Sequence, residues 1–350
     1  DLSGLPERSA AATVRVAALI DSPHSLDLLA GYATDPRARV QQELIEVWKY
    51  FDPDTYARHV LADAPLHDGR LTITDRRLVP ALHHLRHLME LSLDVTAETV
   101  TTLDWLANAP SLTTLWLRAL NAMDLSPLRT HAALRFLWMR LPDLGPYLDT
   151  LPLLAGLEEL HLWPDTPISG LDFVARLSRL EQLGLGNLSG VRDFTPISTL
   201  RGLTSLTVGE CVLPVSALGP LHRLTQLTFA DAFAEGGLAA LTEVRPELTR
   251  LAAWRCDQVD DLSPLARLTR LRELDLRLCA HVNSLEPLRN LANLAEIDLS
   301  GARPGLDVSP LAGKRLTLVL DQGQQVDGLD QLGSGVKVKR QKTFTISEGT

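Results

Sequence analysis

The chain has 350 residues, 45% apolar but only 5% aromatic, so aliphatic side chains must supply its core. Its net charge of −9 disfavours general nucleic-acid binding, which needs a basic surface. No apolar run approaches the ~20 residues of a membrane span, and we identify no signal peptide. Because the sequence begins at Asp1 without a Met, we expect a C-terminal piece of a longer protein.

Residues 1–70 predict an α-helical linker or cap. An alanine-rich run from Ser9 to Ile20 favours one helix. Three further starts pair an N-cap residue with a proline at the first helical position: Ser22-Pro23, Asp35-Pro36 and Asp52-Pro53. After the second start, apolar residues recur at helical spacing: Val40, Leu44, Val47 and Trp48.

The densest polar cluster follows, with His83, His84 and His87 near Glu90. His83 and His87 are four residues apart and could share a helical face, as metal ligands do. However, the segment leads directly into an apolar anchor at Leu88, where a helix should already have ended. We therefore favour solvated histidines and predict neither a metal site nor a cofactor.

From Leu88 onward, the pattern L-x-x-L-x-L recurs ten times at intervals of 21–24 residues, a spacing typical of leucine-rich repeats. A shortened eleventh copy follows at Leu316, Leu318 and Leu320. The middle anchors of the ten copies are Leu91, Leu115, Leu137, Leu160, Leu183, Leu206, Leu227, Leu251, Leu274 and Ile297.

Within each copy the last two anchors alternate, so they lie on one face of a short strand and point inward. The sequence therefore predicts an α/β leucine-rich-repeat solenoid, a curved horseshoe with a parallel sheet on its concave side. Ser/Thr-Pro pairs, as in Ser126-Pro127, Thr195-Pro196, Ser263-Pro264 and Ser309-Pro310, predict capped short 3₁₀ or single-turn helices on the convex side. This part resembles the short-repeat domains of bacterial internalins.

The outward positions of the strands carry the candidate binding residues. Four of the six tryptophans lie there, with several arginines. One alternative is that aromatic residues simply favour strands. Solvent-facing positions gain little from tryptophan in folding, whereas tryptophan and arginine dominate binding hot spots. We predict a protein ligand on the concave face, gripped by Trp116, Arg118, Phe136, Trp138, Arg140, His161, Trp163, Trp254 and Arg277.

Two smaller features are assigned to structure or access rather than to catalysis. Asp260-Asp261 precedes a Ser-Pro turn, where capping explains it better than acid–base chemistry. Gly184, Gly186 and Gly209 lie at outward strand positions and form no phosphate loop, so we expect them to let a ligand approach the sheet closely. We identify no catalytic motif and predict that the chain is not an enzyme.

The three cysteines occupy one repeat position, three residues past the last anchor: Cys211, Cys256 and Cys279. Repeat families place Asn or Cys there to hydrogen-bond the turning backbone. We favour buried, reduced, unbridged thiols over a disulfide, metal ligand or nucleophile. An odd count without paired spacing fits a reducing, cytoplasmic location.

The predicted repeat domain spans 71–320, and 321–350 forms a C-terminal cap and tail. Val336-Lys337-Val338-Lys339 predicts a last edge strand whose lysines discourage further pairing.

Two segments resemble the C-terminal region of actinobacterial NACHT-type STAND NTPases, relatives of NOD-like receptors. One runs from Asp35 to Pro53, and the other, Leu78-Val79-Pro80-Ala81-Leu82, leads into the first repeat. The resemblance implies a sensor in antiphage defence, with an upstream ATPase that drives oligomerisation. The chain itself contains no G-x-x-x-x-G-K-[ST] loop, so no nucleotide-binding residue is carried over. The alternative is a generic leucine-rich-repeat interaction scaffold without a linked ATPase.

Overall fold

The computed structural model describes residues 4–20, 22–66, 70–96, 102–121 and 123–342. It divides into two compact units, Asp1–Thr166 and Pro167–Thr350. This division falls between the repeats anchored at Leu160 and Leu183. The boundaries predicted at 70/71 and 320/321 remain predictions, and 343–350 of the expected tail lies outside the described residues.

Among its described residues, the first unit begins with four α-helices, as its start signals predict. Ser22 accepts a hydrogen bond from the amide of His24, and Asp52 from that of Thr55, each followed by proline at the first helical position. Asp35 also accepts an amide hydrogen bond, from Arg37, but the helix begins only at Ala38. The helices are α1 (Glu7–Leu19), α2 (Pro23–Ala30), α3 (Ala38–Val47) and α4 (Pro53–Tyr56), the last continuing as a π-helical turn (Ala57–Leu61).

Polar contacts connect these helices. Arg15 of α1 forms an ion pair with Glu43 of α3. The predicted stripe of α3 is buried and ends at Trp48, whose indole N–H donates to the carbonyl of Pro53 at 2.9 Å. The hydroxyl of Tyr56 donates to the carbonyl of Leu44 at 2.9 Å, and its burial raises the pKa of that phenol. The aromatic side chains thus tie α4 to α3 without leaving their polar atoms unpaired.

Parallel strands follow in the first unit, each paired with the next in register. Leu91, Leu115, Leu137 and Leu160 are aligned across them and have no exposed surface. The first strand was not predicted, because it has Leu71 and Ile73 but no leading leucine. The strands are β1 (Arg70–Ile73), β2 (Glu90–Val95), β3 (Thr114–Ala119), β4 (Phe136–Arg140) and β5 (Glu159–Leu162). Between them lie 3₁₀ helices at Arg76–His84, Asp104–Asn108, Ser126–Thr130, Gly145–Tyr147 and Leu151–Leu153.

The second unit repeats the pattern in a parallel sheet of order β6-β7-β9-β11-β12-β13-β15-β17, with two short parallel pairs, β8·β10 and β14·β16, beside it. The predicted edge strand is present as β17. The strands are β6 (Gln182–Leu185), β7 (Ser205–Gly209), β8 (Val212–Leu213), β9 (Gln226–Ala230), β10 (Phe233–Ala234), β11 (Arg250–Trp254), β12 (Glu273–Asp275), β13 (Glu296–Asp298), β14 (Leu306–Asp307), β15 (Leu316–Asp321), β16 (Val326–Asp327) and β17 (Val336–Gln341).

The expected short helices connect the strands of the second unit, with one exception. A true α-helix, α5 (Gly237–Val244), occupies a repeat in which the anchors step by 24 residues. The 3₁₀ helices are Asp172–Arg176, Thr195–Thr199, Val215–Ala217, Ser263–Arg267, Glu286–Leu288, Ser309–Leu311 and Leu329–Gln331.

The capping role predicted for Ser and Thr belongs instead to an aspartate two residues earlier. Asp261 accepts a hydrogen bond from the amide of Ser263 at 2.8 Å, so capping does account for this member of the Asp260-Asp261 pair. The hydroxyl residues are the first residues of their 3₁₀ helices, not their caps. Asp124, Asp193 and Asp307 likewise accept a hydrogen bond from the backbone amide two residues later. Hydrogen bonds to these turns hold the pKa values of Asp124, Asp193 and Asp261 below their usual range.

Shortly after each of β6, β7, β9, β11, β12 and β13, the chain turns through a left-handed residue. These are Asn187, Glu210, Asp231, Arg255, Leu278 and Gly301, each two residues past the last anchor. Five of the six carry a side chain, although each such residue costs about 1 kcal/mol relative to glycine. At Glu210, Arg255 and Leu278, residue types that rarely adopt this conformation, packing within the second unit must hold the turn.

Two of the three cysteines bond to the backbone of the preceding repeat. The thiol of Cys256 donates to the carbonyl of Ala232 at 3.1 Å, and that of Cys279 to Ala253 at 2.9 Å. All three are free thiols. The prediction that all three are buried was wrong for Cys211, which is partly exposed. Its turn continues directly into the short strand β8, so its thiol is not enclosed as the other two are.

We expect Leu206→Asp to lower the free energy of unfolding by more than about 3 kcal/mol, because it buries an unpaired carboxylate between neighbouring repeats. Thr207→Asp is the matched control, since Thr207 points to the half-exposed face and should cost about 1 kcal/mol or less. Urea unfolding followed by circular dichroism measures both. Equal effects of the two substitutions would contradict the assigned strand orientation.

We expect native protein to react slowly with a thiol reagent at neutral pH. Cys256 and Cys279 are buried, and burial raises the pKa of the Cys211 thiol to about 12, which leaves little reactive thiolate. All three thiols should react after denaturation without prior reduction. Rapid labelling of all three in the native state, or loss of any pair to a disulfide, would contradict this expectation.

Candidate functional site

Strands β3, β4 and β5 align the predicted binding residues on the sheet face opposite the leucines. Trp116 lies opposite Trp138, and Trp138 opposite His161. One column further along, Arg118 lies opposite Arg140. We call Trp116, Phe136, Trp138 and His161 the aromatic patch, with Arg118, Arg140 and Trp163 beside it in the register.

Rings of the aromatic patch touch one another across the strands. The ring centroids of Trp116 and Phe136 are 4.7 Å apart, and those of Phe136 and His161 are 5.9 Å apart. All four side chains are half-exposed. Burial lowers the pKa of His161, which favours its neutral imidazole as one more ring of the patch. The sheet thus holds an ordered aromatic surface in contact with solvent.

The two arginines beside the patch are not isolated cations. Arg118 lies 3.6 Å from Asp94, and Arg140 lies 3.9 Å from Asp165. Both guanidinium side chains remain over 40% exposed. Exposed ion pairs of this kind contribute only about 0–1 kcal/mol, so a partner's carboxylates could replace the aspartates at little cost.

The predicted second contact, Trp254 and Arg277, forms a closed network within the second unit. The indole N–H of Trp254 donates to Asp275 at 2.8 Å, and the Arg277 guanidinium lies 4.7 Å from the Trp254 ring centroid. Arg277 also forms a bidentate ion pair with Asp275, at 2.7 Å and 3.0 Å. The carboxylate of Asp298 lies 3.8 Å from the guanidinium of Arg277. The charge of Arg277 is thus compensated internally, and Trp254 is fixed by the same carboxylate.

The prediction that glycines open the sheet to a ligand was wrong. Gly184, Gly186 and Gly209 are buried. A Cβ atom added to Gly209 would lie 3.3 Å from the Cα atom of Gly186, so this glycine permits close packing of neighbouring turns rather than access.

Sequence analysis missed a cleft of about 540 Å³ in the second unit, where the left-handed turns and the β8·β10 pair meet. Arg255 and Asp231 form an ion pair of 3.2 Å there. Glu210 and the partly exposed Cys211 also line it. Three of these residues, Glu210, Asp231 and Arg255, are left-handed turn residues at the same repeat position. Their residue types differ, so no signal in the sequence indicated that they share a backbone conformation.

The three histidines are placed differently from the pairing considered in the sequence. His83 and His84, rather than His83 and His87, come together, and Asp54 of α4 joins them. The carboxylate of Asp54 lies 2.8 Å from Nε2 of His84 and 3.8 Å from Nε2 of His83. Asp54 was missed because 29 residues separate it from His83 in the chain.

Among the described residues, no helix is both long and apolar enough to cross a membrane.

No protein-family model matches the chain. Among solved structures, it is similar to an internalin from Listeria monocytogenes, with 17% identity over 94% of this chain and 93% of that one and a TM-score of 0.48. A leucine-rich-repeat protein from Leptospira interrogans matches with 16% identity over 74% of each chain and a TM-score of 0.47. The mouse RP105/MD-1 complex matches with 17% identity over 72% of this chain and 52% of that one, with a TM-score of 0.48. We assign the leucine-rich-repeat fold from the chain's own strand register, not from these similarities.

Proposed function

We propose that this chain is a protein-interaction module that binds its partner through the aromatic patch. The observation that carries the proposal is the run of ring contacts from Trp116 through Phe136 to His161 on the solvent side of the sheet. A sheet that only needed to fold would gain little from large rings at these positions, because the leucines on its other face already supply the core. A half-exposed aromatic surface instead favours a binding role.

The partner we propose is a protein surface that is apolar at its centre and acidic at its edge. The aromatic rings would give desolvated contact, and Arg118 and Arg140 would exchange their exposed aspartates for carboxylates of the partner. Because neighbouring parallel strands hold these side chains in register, little conformational freedom remains to be lost on binding.

The wider role we propose is that of a cytoplasmic ligand-sensing region of a NACHT-type NTPase in antiphage defence. Its support is the sequence resemblance of the segments from Asp35 to Pro53 and from Leu78 to Leu82. The coding sequence upstream of Asp1 tests this directly. A G-x-x-x-x-G-K-[ST] loop within the preceding few hundred codons would support the linkage. A gene without one would favour the generic interaction scaffold.

We expect Trp138→Ala combined with Arg140→Ala to abolish ligand recognition in the full-length protein while leaving melting nearly unchanged. One hot-spot residue contributes about 2 kcal/mol, which alone weakens binding roughly 30-fold. Protection of cells against a panel of phages, with ligand-induced oligomerisation of the purified protein, measures recognition. Thermal denaturation of the 350-residue chain measures folding.

The matched control is Thr228→Ala combined with Arg250→Ala, which alters the corresponding sheet face of the second unit and should leave recognition intact. Trp254→Ala is the positive control for the melting measurement, because it removes the hydrogen bond to Asp275. Unfolding by the patch variant would make the patch structural. Normal folding together with normal recognition would refute the proposed surface.

A further inference from the structure

We propose that Asp54, His83 and His84 form a binding site for a divalent transition metal of the Zn²⁺ type, shared between α4 and the 3₁₀ helix Arg76–His84. One ligand atom from each side chain lies within 4.8 Å of the other two. Zinc sites with N and O ligands have bond lengths of about 2.0–2.2 Å, which place the ligand atoms roughly 3.4 Å apart. Small side-chain rotations therefore close the cluster around an ion.

Hydrogen bonding fixes which nitrogen of His83 is free to bind. Its Nδ1 lies 2.6 Å from the carbonyl oxygen of Pro80, a contact that requires a proton on Nδ1. In the neutral ring, Nε2 then carries the lone pair, and it is this atom that lies 3.8 Å from the carboxylate of Asp54. A metal-binding imidazole is usually held in place by a hydrogen bond from its other ring N–H, often to a backbone carbonyl.

A lone pair that faces a carboxylate needs a positive charge between them. A bound metal ion can supply this charge. On the other side of the cluster, Nε2 of His84 lies 2.8 Å from the same carboxylate, with its proton between them. Metal binding through this nitrogen moves its proton to Nδ1 in the neutral ring, or releases one proton to solvent from the imidazolium.

The donor set selects the class of ion. Two imidazoles and one carboxylate suit Zn²⁺ and its first-row neighbours, whereas Ca²⁺ and Mg²⁺ prefer oxygen ligands. The side chains of His83 and Asp54 are 40% and 53% exposed, so an ion can enter and retain water. Because Asp54 and His84 are 30 residues apart and belong to different helices, the ion would clamp the N-terminal helices to the start of the repeats.

Zinc binding by the tag-free chain, measured by competition with a chromophoric chelator, tests the site. We expect one strongly bound ion per chain, with affinity reduced more than about 100-fold in His83→Ala and in His84→Ala. The matched control is His87→Ala, which removes an exposed histidine outside the cluster and should leave the affinity unchanged. Zinc should also raise the melting temperature of the wild type but not of Asp54→Asn.

Cobalt substitution distinguishes this site from the thiols. Co²⁺ bound to nitrogen and oxygen ligands gives no sulfur charge-transfer band, so the absence of that band with stoichiometric binding supports the assignment. Circular dichroism of each variant establishes that it is folded, and Asp54→Asn provides a conservative substitution if the histidine variants are not. The proposal fails if the wild type binds no stoichiometric ion, if His87→Ala weakens binding equally, or if a thiolate band appears.

Discussion

The alignment of one leucine above the next, in register along parallel strands, is the constraint on which the other features depend. Leu206 is fully buried, with Leu183 and Leu227 as its partners in the neighbouring strands. An anchor buried largely by its neighbours tolerates little change in the length of the repeat, because a slip of one residue would turn every leucine towards solvent. The side chains on the opposite face of each strand take no part in this leucine core.

In the second unit, six strands of this register are followed by a turn through a left-handed residue. The left-handed residues of the second unit, among them Arg255 and Leu278, accept a local energetic cost that the shared leucine core outweighs. The thiol of Cys279 donates to the carbonyl of Ala253 in the preceding repeat, and Asp261 accepts a hydrogen bond from the amide of Ser263 at the start of the next 3₁₀ helix. The strained positions are therefore architectural, even where they also line the cleft of the second unit.

Tryptophans at outward sheet positions serve different roles because their neighbours differ. Trp254 has Asp275 on the next strand, which binds its indole and neutralises Arg277. Trp116 packs against Phe136, and Arg118 forms an exposed ion pair with Asp94. An internally satisfied cluster stabilises the sheet, whereas a half-exposed ring cluster with exchangeable ion pairs is suited to binding a protein surface.

The sequence by itself determined the leucine-rich-repeat fold, the strands at each middle anchor, the N-terminal helices and the edge strand, because each follows from a period or cap within a few residues. It also determined that Trp116, Phe136, Trp138 and His161 share a sheet face. Only the tertiary structure decided that Arg277 is neutralised by Asp275, that Gly209 is packed against Gly186, and that Cys211 is partly exposed. It alone brought Asp54 to the histidines. The sequence period fixes which way a side chain points, but its charge partners and its exposure depend on residues a repeat or more away, whose positions only packing sets.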